Sequence, residues 1–139
     1  MSPEFVDGNR LTLLNGGAEF FPALITAVDG AEREVQIETY IFEDDASGRL
    51  VIDALKRAAA RGVTARVLVD GFGAAAFGDR LQPELIAAGV QALIYRRELA
   101  RFSLRRHRLR RLHRKLASID GRIAFVGGIN VIDDMNQPG

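Results

Sequence analysis

His113-Arg114-Lys115-Leu116-Ala117-Ser118-Ile119-Asp120, followed by Gly127-Gly128-Ile129-Asn130, is the stretch on which the fold of this chain turns. It spells HxKxxxxD, six further residues, then GGxN. At average residue usage these six positions fall into register by chance in about one chain of this length in a million. Read as local structure, Leu112 to Ile119 and Arg122 to Val126 form two strands, and the Asp120-Gly121 dipeptide between them signals a tight type I′ hairpin. Two residues apart on a strand, His113 and Lys115 point to one face. Asn130 then arrives from the adjoining strand.

Working outward from this hairpin, period-two strands alternate with helical stretches. Arg10 to Leu14 reads as a short strand, and a helix follows from Gly16-Gly17 through Phe20, Phe21, Leu24 and Val28 to Asp29-Gly30. Val35, Ile37, Thr39 and Ile41 alternate with Gln36, Glu38, Tyr40 and Phe42 in a second strand. Asp45 or Ser47 caps a helix whose stripe is Leu50, Ala54, Leu55 and Ala58, stopped at Gly62. The strand Val63 to Val69 ends in Asp70-Gly71-Phe72-Gly73. A helix around Pro83 to Ala88 then leads into the strand Val90 to Tyr95. Alternation of this kind implies an α/β sandwich whose mixed sheet is largely parallel.

Length and composition agree with one domain. The 139 residues are 47% hydrophobic and 27% charged, enough to bury a core. No apolar run approaches the roughly eighteen residues of a membrane span. The absence of cysteine excludes a disulfide framework and any thiolate metal site. Residues 1–7, with Glu4-Phe5, read as a cloning remnant or a disordered N-terminus. Residues 8–139 read as a single domain that is expected to be cut short of its natural end.

The net charge of +1 hides a segregation. Ten of the nineteen basic residues, and the single acid Glu98, fall between Arg96 and Lys115. That run ends on the motif, so an anionic partner is expected there. Leu99, Phe102, Leu109 and Leu112 recur at about three-residue spacing inside it, as in a basic amphipathic helix lying on a lipid surface. Arg105, Arg106, Arg108, Arg110 and Arg111 are the expected membrane contacts. Phe102 is the one aromatic in the run, so base stacking has little support and nucleic acid is not the expected partner. His107 sits among arginines without a motif and reads as solvated.

An imidazole beside an ammonium suits phosphate-ester substitution. The imidazole can attack phosphorus, while lysine and the Asn130 amide stabilise charge on the non-bridging oxygens. Gly127 and Gly128 would let a substrate approach the backbone. No carboxylate cluster suggests a metal, and no cofactor is expected.

These residues resemble the phospholipase D superfamily and its HKD motif, with His113, Lys115 and Asp120 at the named positions and Gly127, Gly128 and Asn130 in the element that follows. Ile37 to Asp45, Val67 to Gly73 and His113 to Asn130 together are similar to the N-terminal half of a bacterial cardiolipin synthase. The resemblance implies a phospholipase D-like α/β/α sandwich, one half of a pseudo-twofold enzyme. It also implies phosphatidyl transfer from one phospholipid to the glycerol head of phosphatidylglycerol through a covalent phosphohistidine. The partners so implied are anionic phospholipid, the cytoplasmic face of the bacterial inner membrane, and a second HKD domain in the same parent chain or in a homodimer. With one motif present, the isolated chain is expected to be inactive. The alternatives are a phosphodiesterase or nuclease that completes its site by dimerising, and a module that only binds anionic membrane.

Not every matching residue is expected to do chemistry. Asp120 is carried as catalytic support, with a purely structural role in the Asp-Gly turn an equal alternative. Glu38 and Asp70 are carried as substrate-binding, against a rim or ion-paired carboxylate for Glu38 and turn chemistry for Asp70. Family members place an acidic residue downstream of the asparagine to orient the histidine, and Asp133 and Asp134 follow Asn130 too closely to be assigned that role.

Overall fold

The β-branched run of Glu34–Thr39 (β1) forms the centre of the sheet, and everything that builds the site is attached to its C-terminal end. The computed structural model describes residues 7–73, 77–96 and 111–133. Helix α1 (Gly16–Asp29) precedes β1. Helix α2 (Ala46–Ala60) connects it to β2 (Thr64–Asp70), and a π-helical turn at Phe77–Leu81 followed by α3 (Gln82–Ala87) leads to β3 (Gln91–Tyr95). The hairpin β4 (Leu116–Ile119) and β5 (Ile123–Val126) completes a five-stranded sheet of order β3-β2-β1-β4-β5. β1, β2 and β3 are mutually parallel, and β4 runs antiparallel to both β1 and β5. Four of the five strands therefore point the same way.

Three strands bury every second residue: Val35, Ile37 and Thr39 on β1, Ala65, Val67 and Val69 on β2, Ala117 and Ile119 on β4. These pack with Phe21, Leu24 and Val28 of α1 and Val51, Ile52, Leu55 and Ala58 of α2 into one core. Two parallel crossovers in sequence place their helices on the same face of a sheet. Among the described residues, helices cover that face alone. The other face presents Leu93, Leu68, Glu38, Leu116 and Val126 in one row across all five strands, with Leu93 and Val126 well exposed.

Several local expectations need correcting. Arg10 to Leu14 is not a strand: Leu11 and Leu13 stand out in solvent and pair with no described strand. Leu50 is 53% exposed and lies off the buried stripe of α2, which runs instead through Val51, Ala54, Leu55 and Ala58. Asp45, not Ser47, caps that helix by accepting from Gly48 N–H at 2.8 Å. Residues 112–115 precede β4 and do not belong to it. The hairpin turn is as expected, with φ of +54° at Asp120 and +64° at Gly121, the left-handed pair that a type I′ turn requires.

Candidate active site

The parallel strands end on the side where open α/β sheets commonly hold ligands. There the chain returns at Arg111 and runs through His113 and Lys115 into β4. His113 Nε2 lies 3.0 Å from Lys115 Nζ. An ammonium has no lone pair, so the contact is a hydrogen bond only if Nε2 accepts. With the ring proton on Nδ1, the Nε2 lone pair faces the lysine. A phosphate drawn to Lys115 would thus meet Nε2 directly. His113 is exposed, with its ring 4.9 Å from that of Tyr40, while Lys115 Nζ stands 5.4 Å from the Tyr40 ring centre.

Tyr40 is a site residue that strand alternation does not reveal. β1 ends at Thr39, and the bend that follows carries the ring against the imidazole. Gly73 packs on the same bend so closely that a Cβ there would fall 2.2 Å from the Tyr40 carbonyl oxygen. Its closeness to the end of a central parallel strand is the one signal that could have marked Tyr40.

Asn130 enters from the segment after β5. Its Oδ1 accepts from Ile41 N–H at 3.1 Å, which orients the amide and leaves the NH₂ group as the donor available to a substrate oxygen. Main-chain bonds between Val131 and Ile41, and between Glu43 and Val131, hold this segment beside the bend. Asp133 N–H donates to Asp45 Oδ2, extending the same attachment. Gly127 and Gly128 are exposed, and a Cβ at either would meet nothing within 4 Å, so no packing among the described residues demands glycine there.

Asp120 is not part of this constellation. It sits at the opposite end of β4, on the order of 20 Å from His113 at about 3.3 Å per strand residue. Its carboxylate accepts from the backbone N–H groups of Glu32 (2.9 Å), Arg33 (2.8 Å) and Glu34 (2.9 Å). These bonds hold its carboxyl below its ordinary pKa. A depressed carboxyl contributes stability that is fully present above the unfolded value near pH 4 and is lost as pH falls through the lower folded value. Asp120→Ala is therefore expected to lower the thermal midpoint at neutral pH by several degrees. The gap from wild type should close as the pH is lowered below about 4, and a gap that stays constant into acid would refute the clamp.

For Asp70 and Glu38 the geometry matches the alternatives to substrate binding, turn chemistry and an ion pair respectively. Asp70 does not face a substrate: it is buried, and its oxygens accept from Phe72 N–H at 2.8 Å and Leu112 N–H at 2.7 Å. Glu38 is engaged with Arg114 at 3.0 Å on the uncovered face of the sheet. Leu112, expected on a lipid-facing stripe, is buried in the fold. Arg111 lies with its guanidinium 4.4 Å from the centre of the exposed Phe72 ring. Arg105, Arg106, Arg108 and Arg110, and with them His107, Leu99, Phe102 and Leu109, fall outside the described residues. A depression of about 400 Å³ lined by Leu68, Tyr95, Arg111, Leu112, His113 and Arg114 adjoins the imidazole. Among the described residues no group of carboxylates and histidines is arranged to hold a metal ion, and no helix is long and apolar enough to cross a membrane.

Comparison with known proteins gives this geometry a context. Residues 24–136 match the family described as "Cardiolipin synthase, PLD-like domain". The chain is 41% identical over 124 residues to cardiolipin synthase B of Escherichia coli (strain K12), an alignment covering 89% of this chain and 30% of that protein. It is 32% identical over 128 residues to cardiolipin synthase 1 of Bacillus anthracis, covering 92% of this chain and 25% of that protein. The chain thus spans about a third or less of the curated relatives it matches. Among solved structures it resembles the phospholipase D family member Nuc from Salmonella typhimurium, with a TM-score of 0.57 at 18% identity over 81% of this chain and 64% of that one. NucT from Helicobacter pylori gives 0.54 at 19% identity over 81% and 67%. At such identities the likeness is one of fold.

Proposed function

The chain belongs to the phospholipase D-like cardiolipin synthase family, and from that premise we propose that it is one HKD half of a phosphatidyltransferase that makes cardiolipin through a phosphohistidine. The observation that carries this reading is the 3.0 Å contact between His113 Nε2 and Lys115 Nζ at the mouth of the sheet. The phosphate of phosphatidylglycerol settles on the Lys115 ammonium and the Asn130 amide, which draws the lysine from the imidazole and frees the Nε2 lone pair. Nε2 attacks phosphorus, the bond to the glycerol head oxygen breaks, and that oxygen takes a proton from a general acid in the opposing half. The free hydroxyl of a second phosphatidylglycerol then gives its proton to the same group and attacks phosphorus, releasing His113.

The opposing half is a second HKD motif, carried in the same parent chain or by a second copy. On this reading the isolated chain turns nothing over, and the working protein lies peripherally on the cytoplasmic face of the bacterial inner membrane. Its basic run bears on anionic lipid at about 1 kcal/mol per residue near the surface. Replacing Arg105, Arg106, Arg110 and Arg111 together by glutamine is expected to weaken binding to phosphatidylglycerol vesicles by about tenfold or more and to flatten its dependence on salt. Vesicle sedimentation across ionic strength measures both, and unchanged binding would end the membrane assignment.

The catalytic reading is tested by trapping. Protein carrying both halves is mixed with phosphatidylglycerol vesicles and quenched in alkaline denaturant, where a phosphoramidate survives, and the modified peptide is mapped by mass. A phosphatidyl adduct on His113 is expected. Cardiolipin formation with no adduct on either motif histidine would overturn the mechanism.

A further inference from the structure

Asp70 is the one buried charged side chain among the described residues, and a buried carboxylate is costly unless its oxygens are satisfied. Here the two satisfying donors are main-chain groups on the two segments that frame the site: Phe72 N–H, just past the end of β2, and Leu112 N–H, one residue before His113. The ladder of β4 does not begin until Leu116. Between Arg111 and Lys115, Lys115 Nζ donates to the His113 carbonyl at 3.3 Å, and the backbone is tied to other segments through Leu112 N–H to Asp70 and Gly127 N–H to the Lys115 carbonyl at 3.2 Å. His113 lies between them. The same carboxylate also fixes the backbone of Phe72, whose ring receives the Arg111 guanidinium.

We propose that Asp70 is the positioning residue of this site, acting through the Leu112 main chain to set where the His113 imidazole stands relative to Lys115. It touches no reacting atom. The proposal rests on the phosphatidyl-transfer reading above, since only a reaction at Nε2 makes the placement matter kinetically. Asp70→Asn is the informative change, because it conserves shape but turns one acceptor into a donor facing another donor. A misplacement of about 1 Å in a reacting group lowers rates on the order of 100-fold. Under single turnover with phosphatidylglycerol vesicles, the rate constant for adduct formation on His113 should fall by about that factor, with the half-saturating lipid concentration unchanged. A residue that only stabilises the fold would instead lower the amplitude, through unfolded protein, and leave the rate constant of the folded fraction alone.

Two nuclear magnetic resonance measurements keep the test independent of turnover. In the wild-type chain the Leu112 amide should be protected from hydrogen exchange although it precedes the regular strand. In Asp70→Asn the His113 ring Cε1–Hε1 cross-peak, assigned by its loss in His113→Ala, should shift or split while that of His107 stays in place. A wild-type rate constant in Asp70→Asn, an unshifted His113 cross-peak, or a Leu112 amide exchanging like an open chain would each overturn the proposal. Should Asp70→Asn fail to fold, the Leu112 measurement in wild type decides alone. If wild-type protein forms no adduct at all, the transfer reading falls, and the two resonance measurements still judge whether Asp70 positions His113.

Discussion

In protein carrying both halves, replacing His113 with alanine is expected to abolish the phosphatidyl adduct and to lower cardiolipin formation by on the order of 10⁴-fold or more, the scale on which enzymes lose activity with their covalent nucleophile. The loss is expected in turnover and not in stability. His113 is exposed, and substitutions at such positions stay within about 0.5 kcal/mol. Lys115→Met should remain able to form the adduct, but about 100- to 1,000-fold more slowly, because one charge stabiliser is lost while the nucleophile is kept. Thermal unfolding and quenched-flow trapping of the three proteins separate these effects. An alanine variant that makes cardiolipin at the wild-type rate would remove His113 from the chemistry.

Phe42→Ala carries the largest expected cost in stability. Its side chain is fully buried, 5.3 Å ring to ring from Phe77, and its backbone pairs with Val131 in the segment that delivers Asn130. Truncating a buried phenylalanine costs about 3–5 kcal/mol, a large share of the roughly 5–15 kcal/mol that holds a domain folded. The thermal midpoint should fall by about 10 °C or more. Leu50→Ala provides the contrast: on an exposed face of α2 it should change stability by no more than about 0.5 kcal/mol. Denaturant titration reads both, and comparable losses at the two positions would contradict the assigned faces of core and helix.

These two positions also show what could be read in advance. The hairpin was legible because Asp-Gly has few ways to turn a chain, and the pairing of His113 with Lys115 because their spacing matches an extended backbone. The helix faces were legible only in part: Leu50 fits the spacing of a stripe, yet Val51 one position on is the residue that meets the core. Leu112 illustrates a different failure. Its spacing from Leu109 suggests an apolar helix face, but the tie to Asp70 draws it into the fold. Arg10 to Leu14 alternates as a strand does, and alternation does not say whether a free sheet edge is within reach. The reach of Asp70 and Asp120 beyond their own turns, to Leu112 and to Glu32, Arg33 and Glu34, was hidden for a shared reason. Both accept from backbone N–H groups, and a backbone donor leaves no trace in residue identity.

That shared reason has an evolutionary consequence. Asp120 grips the backbone at Glu32, Arg33 and Glu34, Asn130 at Ile41, Asp70 at Phe72 and Leu112, and Asp45 at Gly48 and Asp133. As far as these ties are concerned, the gripped positions can exchange one side chain for another over generations without moving the site. Proline is the exception, because it alone brings no N–H to be held. Gly48, where a Cβ would meet the Glu43 carbonyl, and buried Leu112 are held by packing as well. At the exposed positions Glu32 and Arg33 the imprint of the clamp on a diverging lineage is therefore the absence of one amino acid.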